Sequence, residues 1–111
     1  MSAQPTFRFW LDRCADILIG LEAARSLARF AALAVDGEDP ELPLLAAAAK
    51  ARCADVYQRS AVDNVQIHGG VGYTWEYDAH LYLRRAKASS LLLGDPRAQR
   101  SRLAGQLTPA A

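Results

Sequence analysis

This chain of 111 residues has almost no excess of either charge, since it carries 13 Lys and Arg against 12 Asp and Glu. A formal net charge of +1 excludes the strong field on which non-specific binding to nucleic acid and to anionic membranes depends. No apolar run approaches the ~20 residues that span a bilayer, and the N-terminus lacks a basic segment followed by an apolar block. The sequence therefore predicts a cytoplasmic protein that binds neither nucleic acid nor membrane.

Cysteine is scarce as well, since Cys14 and Cys53 are the only two. Neither has a partner at metal-ligand spacing, so the sequence predicts no metal site. Both fall within predicted helices, where buried and reduced thiols are the usual condition. We therefore expect neither a disulfide nor a zinc centre.

What the chain does contain is the ordinary composition of a folded protein, with 51% hydrophobic and 23% charged residues. These fractions disfavour disordered and fibrous classes. The length suits one domain and is too short for two cores. We expect a single domain over residues 1–111, with loose tails at about residues 1–5 and 108–111.

Apolar residues recur at alternating steps of four and three along the first third of the chain. The series is Trp10, Cys14, Ile17, Leu21, Ala24, Ala28, Ala31 and Val35. This spacing predicts a helix whose apolar stripe packs nearly antiparallel against neighbouring helices. Gly37 and Pro40 then predict that the helix ends near Asp36.

The same spacing continues in a second predicted helix over about residues 41–66. Its stripe is Leu42, Leu45, Ala49, Cys53, Val56 and Ser60. A third helix is predicted from an N-cap at Thr74 to about Leu92. Asp95 as N-cap and Pro96 at the first helical position predict a short fourth helix. No alternation of period two is present, so the expected fold is an all-α bundle.

The least ordinary stretch of the chain lies between the second and third predicted helices. It reads Gln66-Ile67-His68-Gly69-Gly70-Val71-Gly72-Tyr73-Thr74-Trp75-Glu76-Tyr77. Its glycines let the backbone adopt φ > 0 and let another molecule approach the main chain without a Cβ atom in between. They therefore either cap one helix and turn into the next, or hold a ligand.

Three motifs follow one another along the chain. They are Glu22-Ala23-Ala24-Arg25, the Gln66 to Thr74 part of the glycine-rich stretch, and Arg84-Arg85-Ala86-Lys87. In this order they resemble the C-terminal helical domain of flavin-dependent acyl-CoA dehydrogenases. The resemblance implies an all-α, up-down four-helix bundle, here without its first helix. It also implies that a helical domain and a β-rich domain precede the bundle, and that the protein packs into dimers and tetramers.

The resemblance further implies FAD as the cofactor. In the family, the side chain matching Gln66 and the backbone matching Gly69 and Gly70 contact FAD held by a neighbouring subunit. We expect amide donors and bare backbone at a helix end to suit a pyrophosphate or ribityl chain. Gln66, Gly69 and Gly70 are therefore the predicted cofactor-binding residues.

The catalytic base expected from the resemblance is absent. The family's glutamate stands in many members within Tyr-Glu-Gly-Thr, and the matching stretch is Leu92-Leu93-Gly94-Asp95. Leu93 therefore occupies the base position and cannot accept a proton at any pH. Asp95 is a short side chain at a predicted helix cap, so we expect no catalytic residue in this chain.

Two interpretations follow. In the first, the chain is the C-terminal part or subunit of an acyl-CoA dehydrogenase, contributes to FAD binding and oligomerisation, and meets acyl-CoA only in a complete assembly. In the second, it is a non-catalytic helical interaction module or remnant that pairs with itself or with a full-length dehydrogenase subunit. Both predict a homo- or hetero-oligomer, because a bundle without its first helix leaves an apolar face uncovered.

Overall fold

Four α-helices account for most of the chain in this computed structural model, which describes residues 7–73 and 78–108, with the backbone alone described over 69–73. They are α1 (Phe7–Asp36), α2 (Leu42–Tyr73), α3 (Asp78–Leu91) and α4 (Pro96–Leu107). No strand occurs in these two ranges, and the all-α prediction is confirmed. α2 is the central element, because α1, α3 and α4 each pack against it. None of the described helices is both long and apolar enough to cross a membrane.

The end of α1 lies where the sequence predicts it. The Gly37 N–H donates to the Leu33 carbonyl at 3.0 Å. The residue that adopts the left-handed conformation is Glu38, with φ 51°, rather than the glycine before it. The chain then turns into α2, where the Asp39 carboxylate accepts a hydrogen bond from the Glu41 N–H at 2.8 Å.

The predicted end of the second helix is wrong, because α2 continues past Gln66 to Tyr73. Gly69 and Gly70 are therefore helical and do not form a loop. Glycine reaches right-handed helical angles without strain, and each one costs a helix only ~1 kcal/mol relative to alanine. A long helix that already forms its hydrogen bonds absorbs that cost, since propagation is favourable once a helix is nucleated. The N-cap predicted at Thr74 lies outside the described residues.

The face of α1 that packs on α2 is rotated from the predicted stripe. Its fully buried members are Gly20, Ala24 and Ala34. Half of the predicted stripe is exposed instead, namely Cys14, Leu21, Ala28 and Val35. The reason is that α1 packs mainly on α2 among the described helices. α2 covers one side of the stripe, whose width would accommodate two neighbouring helices.

Small residues allow this packing to be close. A Cβ placed on Gly20 would lie 3.4 Å from a methyl carbon of Val56 on α2. Over residues 42–68 of α2, the buried apolar side chains are all alanines, at Ala47, Ala51, Ala54 and Ala61. Three helices can pack closely around α2 because its contact residues have short side chains.

Two polar contacts fasten the C-terminal helices to α2. The Lys50 ammonium donates to the Ser89 carbonyl in the last turn of α3 at 2.9 Å, where a cation also suits the helix dipole. The Asp55 carboxylate pairs with Arg100 of α4. Arg59, four residues after Asp55, is the partner that α-helical spacing favours, but tertiary packing brings Arg100 to the carboxylate instead.

Candidate functional site

The three predicted cofactor-binding residues lie together on one side of α2. Gln66, Gly69 and Gly70 follow one another at i, i+3 and i+4, which places them on the same face of a helix. The Gln66 side chain is exposed. The extension of α2 therefore creates a stripe with one amide side chain followed by two positions without a Cβ atom.

The helical state of Gly69 and Gly70 changes the chemistry that this stripe offers. Within an α-helix, a backbone N–H donates to the carbonyl four residues earlier, so these amides are not free donors for a phosphate. The unsatisfied groups at a helix C-terminus are carbonyl oxygens, and they carry partial negative charge. Of the amide donors predicted for a pyrophosphate, the Gln66 side chain is therefore available, whereas the Gly69 and Gly70 N–H groups lie within the helix. The stripe suits ligand hydroxyl and N–H groups, with the Gln66 amide able both to donate and to accept.

The second predicted position of interest, Leu93, lies in the turn between α3 and α4. Its side chain is 87% exposed. The reason is that α3 ends at Leu91, two residues before it. Leu93 takes φ 58° and Gly94 takes φ 100°, so two successive residues are left-handed. Bulky side chains rarely adopt that conformation, and something must hold this turn in place.

Gln99 is the residue that holds it. Its side chain is buried, and its Nε2 donates to the Leu93 carbonyl at 2.6 Å and to the Gly94 carbonyl at 3.3 Å. Asp95 completes the turn as the N-cap of α4, as predicted, with its Oδ1 accepting from the Ala98 N–H at 2.8 Å. The carboxylate nearest to Leu93 in sequence is therefore engaged in a cap. Sequence reasoning missed Gln99, although a glutamine four residues after the capping Asp95 was the available signal.

This arrangement predicts that Gly94→Ala lowers the free energy of unfolding by ~2 kcal/mol. A Cβ at position 94 would lie 2.8 Å from the Gln99 Nε2, and the alanine would have to adopt the left-handed φ of 100° that Gly94 has. The left-handed angle alone costs 1–2 kcal/mol, and displacement of the amide weakens its hydrogen bonds. Urea unfolding measures the loss.

The matched control is Gly105→Ala in α4. A Cβ at Gly105 meets nothing within 4 Å, so alanine there is expected to stabilise the protein by up to ~1 kcal/mol. If Gly94→Ala and Gly105→Ala changed the free energy of unfolding equally, the left-handed turn at Gly94 would not need glycine, which would contradict this account.

The two cysteines are both free thiols in different surroundings. Burial raises the pKa of the Cys53 thiol, and the positive charge of Lys50 partly opposes that shift. Its Sγ lies 3.7 Å from the Ala24 carbonyl of α1. Cys14 is exposed, so its predicted burial is wrong, because it belongs to the half of the α1 stripe that α2 does not cover. Nowhere in the described ranges do three or more His, Cys, Asp or Glu residues gather as metal ligands.

Comparison with known proteins decides the family. A family model described as acyl-CoA dehydrogenase, C-terminal domain, matches residues 6–108. The chain belongs to the acyl-CoA dehydrogenase family. The helical bundle is accordingly that family's C-terminal domain, and the resemblance carried by the three motifs is confirmed. No solved structure is a significant match to the chain.

Curated acyl-CoA dehydrogenases are similar to the chain over most of its length. It is 33% identical over 102 residues to the acyl-CoA dehydrogenase IpdE2 of Mycobacterium tuberculosis, which covers 92% of this chain and 30% of that protein. It is 43% identical over 82 residues to the acyl-CoA dehydrogenase FadE34 of the same organism, covering 73% of this chain and 12% of that protein. It is 36% identical over 80 residues to the cyclohex-1-ene-1-carbonyl-CoA dehydrogenase of Syntrophus aciditrophicus, covering 72% and 19%. The chain thus spans less than a third of each of these relatives.

Proposed function

We propose that this chain is the C-terminal helical part of a flavin-dependent acyl-CoA dehydrogenase, an oxidoreductase that desaturates the α,β bond of an acyl-CoA thioester. The observation that carries the proposal is the match of residues 6–108 to the family's C-terminal domain. IpdE2, an acyl-CoA dehydrogenase by name, supports it over 92% of the chain. The match covers 30% of IpdE2. We expect the parts that enclose most of the flavin and the thioester to lie outside the matched segment.

In this proposal, α2 contributes one wall of an FAD site that a neighbouring subunit completes. FAD supplies the hydride acceptor for the desaturation. The exposed Gln66 amide would hydrogen-bond the cofactor, and the absence of Cβ atoms at Gly69 and Gly70 would let it approach the helix closely. The carbonyl end of α2 favours hydroxyl and N–H groups as its contacts and disfavours the phosphates.

The chain is expected to contribute no base to the reaction. Leu93 has no group that accepts a proton, and the Asp95 carboxylate is engaged with the Ala98 N–H at 2.8 Å. Removal of the α-proton would therefore depend on a carboxylate elsewhere in a complete assembly. The chain by itself is expected to be inactive towards acyl-CoA.

A second function is favoured by the surface of α1. Nine of its large hydrophobic side chains are exposed, including Phe7 at 79% and Leu33 at 68%. Apolar side chains exposed in such number mark a surface that another protein covers. A helical interaction module that pairs with itself or with a dehydrogenase subunit would explain them without any flavin contact.

Production of the chain alone and together with any acyl-CoA dehydrogenase-like chain encoded beside it separates the two functions. We expect the chain alone to be colourless and inactive, and the co-purified complex to be larger and to oxidise acyl-CoA with an artificial electron acceptor. A complex without flavin or turnover would leave the interaction module as the function. The assays are size-exclusion chromatography and an acyl-CoA-dependent dye reduction.

A further inference from the structure

The contact between α1 and α2 follows one line of α2, and this line leads to a proposed cofactor-binding residue. Val56, Asp63 and Gly70 follow one another at intervals of seven residues, which is within about 20° of two full helical turns. Val56 lies beside Gly20 of α1, and Asp63 pairs with Arg13, seven residues before Gly20. Gly70 is therefore the next position of α2 along the same line of contact.

The start of α1 lies beside the proposed flavin contact. The two helices run antiparallel with Arg13 opposite Asp63, so the same register places Phe7, the first residue of α1, opposite Gly69. Gln66 therefore lies on the last turn of α2 that the described part of α1 covers. The rotation of α2 at this turn decides where the Gln66 side chain points.

The buried residues of α1 do little to fix that rotation. They are Gly20, Ala24 and Ala34, and none of them has a side chain beyond Cβ. Small residues let two helices approach closely, but one rotation brings much the same contacts as the next. A hydrogen bond, in contrast, weakens steeply when its angle changes. The bond between Arg13 and Asp63 is therefore a contact that distinguishes one rotation of α2 from another.

The surroundings of the pair hold it in one geometry. The Asp63 side chain is only 4% exposed, and its Oδ1 lies 2.9 Å from the Arg13 Nη2. The guanidinium carbon of Arg13 lies 5.4 Å from the centre of the Phe9 ring. Phe9 in turn packs edge-on against Trp10, with the ring centres 5.1 Å apart. The salt bridge and the two aromatic rings thus form one cluster at the level of the Gln66 turn.

The stability of the fold does not by itself require a charge pair at this place. The Arg13 Nε is buried without a hydrogen-bond partner among the described residues, which is costly. Well-packed apolar residues often replace a buried ion pair without loss of stability, whereas fixing the register of packed helices is the best-attested use of such a pair. What the pair positions explains it better than the stability that it adds.

We propose that Arg13 and Asp63 are positioning residues, which set the rotation of α2 so that Gln66 and Gly70 face the cofactor. This role rests on the proposed function, because the flavin contact at Gln66 is part of that proposal. In this role the pair does not touch the cofactor, and it acts through the helix that it holds.

The first test measures the FAD dissociation constant of a complex between this chain and a flavin-holding dehydrogenase chain, by titrating the flavin-free complex with FAD. In the double variant Arg13→Met with Asp63→Leu, apolar packing replaces the pair. We expect the FAD dissociation constant of this complex to rise at least ~5-fold, while the chain keeps most of its stability. Urea unfolding of the same variant checks the stability.

Two further variants show whether the geometry of the pair is responsible. Arg100→Met is the matched control, because it removes a guanidinium that joins α2 to α4 at a more exposed place, and it should leave FAD affinity unchanged. Asp63→Asn keeps an oxygen that accepts the hydrogen bond from Arg13, so FAD should bind within ~2-fold of wild type. Weaker binding than that in Asp63→Asn would contradict positioning through this hydrogen bond.

The second test asks whether the pair acts through Gln66. The double replacement at positions 13 and 63 is made both in wild type and in the background of Gln66→Ala. We expect it to weaken FAD binding much less in that background, because the side chain that the pair positions is gone. A pair that only stabilised the fold would give the same fold-change in both backgrounds.

The outcomes separate this role from the flavin contact itself. Wild-type FAD affinity in the double variant, together with weakened binding in Gln66→Ala, would overturn the positioning role and leave the flavin contact in place. Wild-type FAD affinity in Gln66→Ala as well would overturn both. Equal fold-changes in the two backgrounds would show that the pair does not act through Gln66, which is contrary to the proposal.

Discussion

Replacing Arg13 with methionine is expected to lower the free energy of unfolding by ~3 kcal/mol, because it leaves a buried carboxylate without its cation. The Arg13 Nη2 lies 2.9 Å from the Asp63 Oδ1, and the Asp63 side chain is only 4% exposed. The pair joins α1 to α2, so its loss weakens the packing between the two longest helices. Urea unfolding followed by circular dichroism measures the change.

Removing the charge of Asp63 should lower the free energy of unfolding by less than Arg13→Met does. The Arg13 side chain is 40% exposed, so Asp63→Asn leaves a cation that water still reaches. The double variant Arg13→Met with Asp63→Leu should recover much of the lost stability, since well-packed apolar residues often replace a buried pair at little cost. The Arg13 Nε supports this, because it is buried without a hydrogen-bond partner among the described residues.

Arg100→Met is the control for the loss of a guanidinium between two helices. Arg100 and its partner Asp55 are 58% and 38% exposed, so this variant should lose less than ~1 kcal/mol. Equal losses for Arg13→Met and Arg100→Met would show that burial of Asp63 does not govern the first effect.

Gly70→Ala is expected to shift chain stability and flavin retention in opposite directions. Position 70 is helical, where alanine is favoured over glycine, so the chain alone should become more stable by about 0.5–1 kcal/mol. The added methyl lies on the face that carries Gln66, where the proposed FAD contact needs close approach. In a complex with a flavin-holding dehydrogenase chain, flavin affinity should fall at least ~5-fold, equivalent to about 1 kcal/mol.

Two comparisons sharpen that prediction. Gly105→Ala should stabilise the chain in the same way without changing flavin retention, since position 105 is on α4 and has open space around it. Gln66→Ala should reduce flavin retention without the gain in stability. If Gly70→Ala retains flavin as wild type does, Gly70 serves the helix alone and the contact proposed for it is wrong.

The helices were predictable wherever a local signal marks them. Gly37 and Pro40 marked the end of α1, and Asp95 and Pro96 marked the start of α4. The glycines after Gln66 misled the prediction, because glycine permits a turn without requiring one. The balance there depends on the helix that precedes them, which no window of a few residues contains.

Burial was less predictable than the helices themselves. A four-three stripe shows that a helix has an apolar side, but the neighbours decide which half of the stripe is covered. Ala24 is buried and Leu21 is 42% exposed, although both belong to the same predicted stripe. Alanine is buried where the helices come closest, and the larger side chains flank the contact.

The candidate site, too, was predictable only in part from the sequence. The helical spacing of Gln66, Gly69 and Gly70 follows from the sequence, while their place within one continuous helix needed the structure. The Leu93 turn needed it more, since the Gln99 side chain reaches back to the Leu93 and Gly94 carbonyls, six and five residues earlier. The sequence signal for it is weak, because only the position of Gln99 four residues after the capping Asp95 points to this contact.

The most direct test of the central claim, that this chain completes a flavin site, is the visible absorption spectrum of a dehydrogenase-like partner chain purified with and without it. The account predicts that oxidised flavin is retained through gel filtration only when the chain is present, and that Gln66→Ala reduces the retained amount. A partner that holds the same amount of flavin without the chain would contradict the claim.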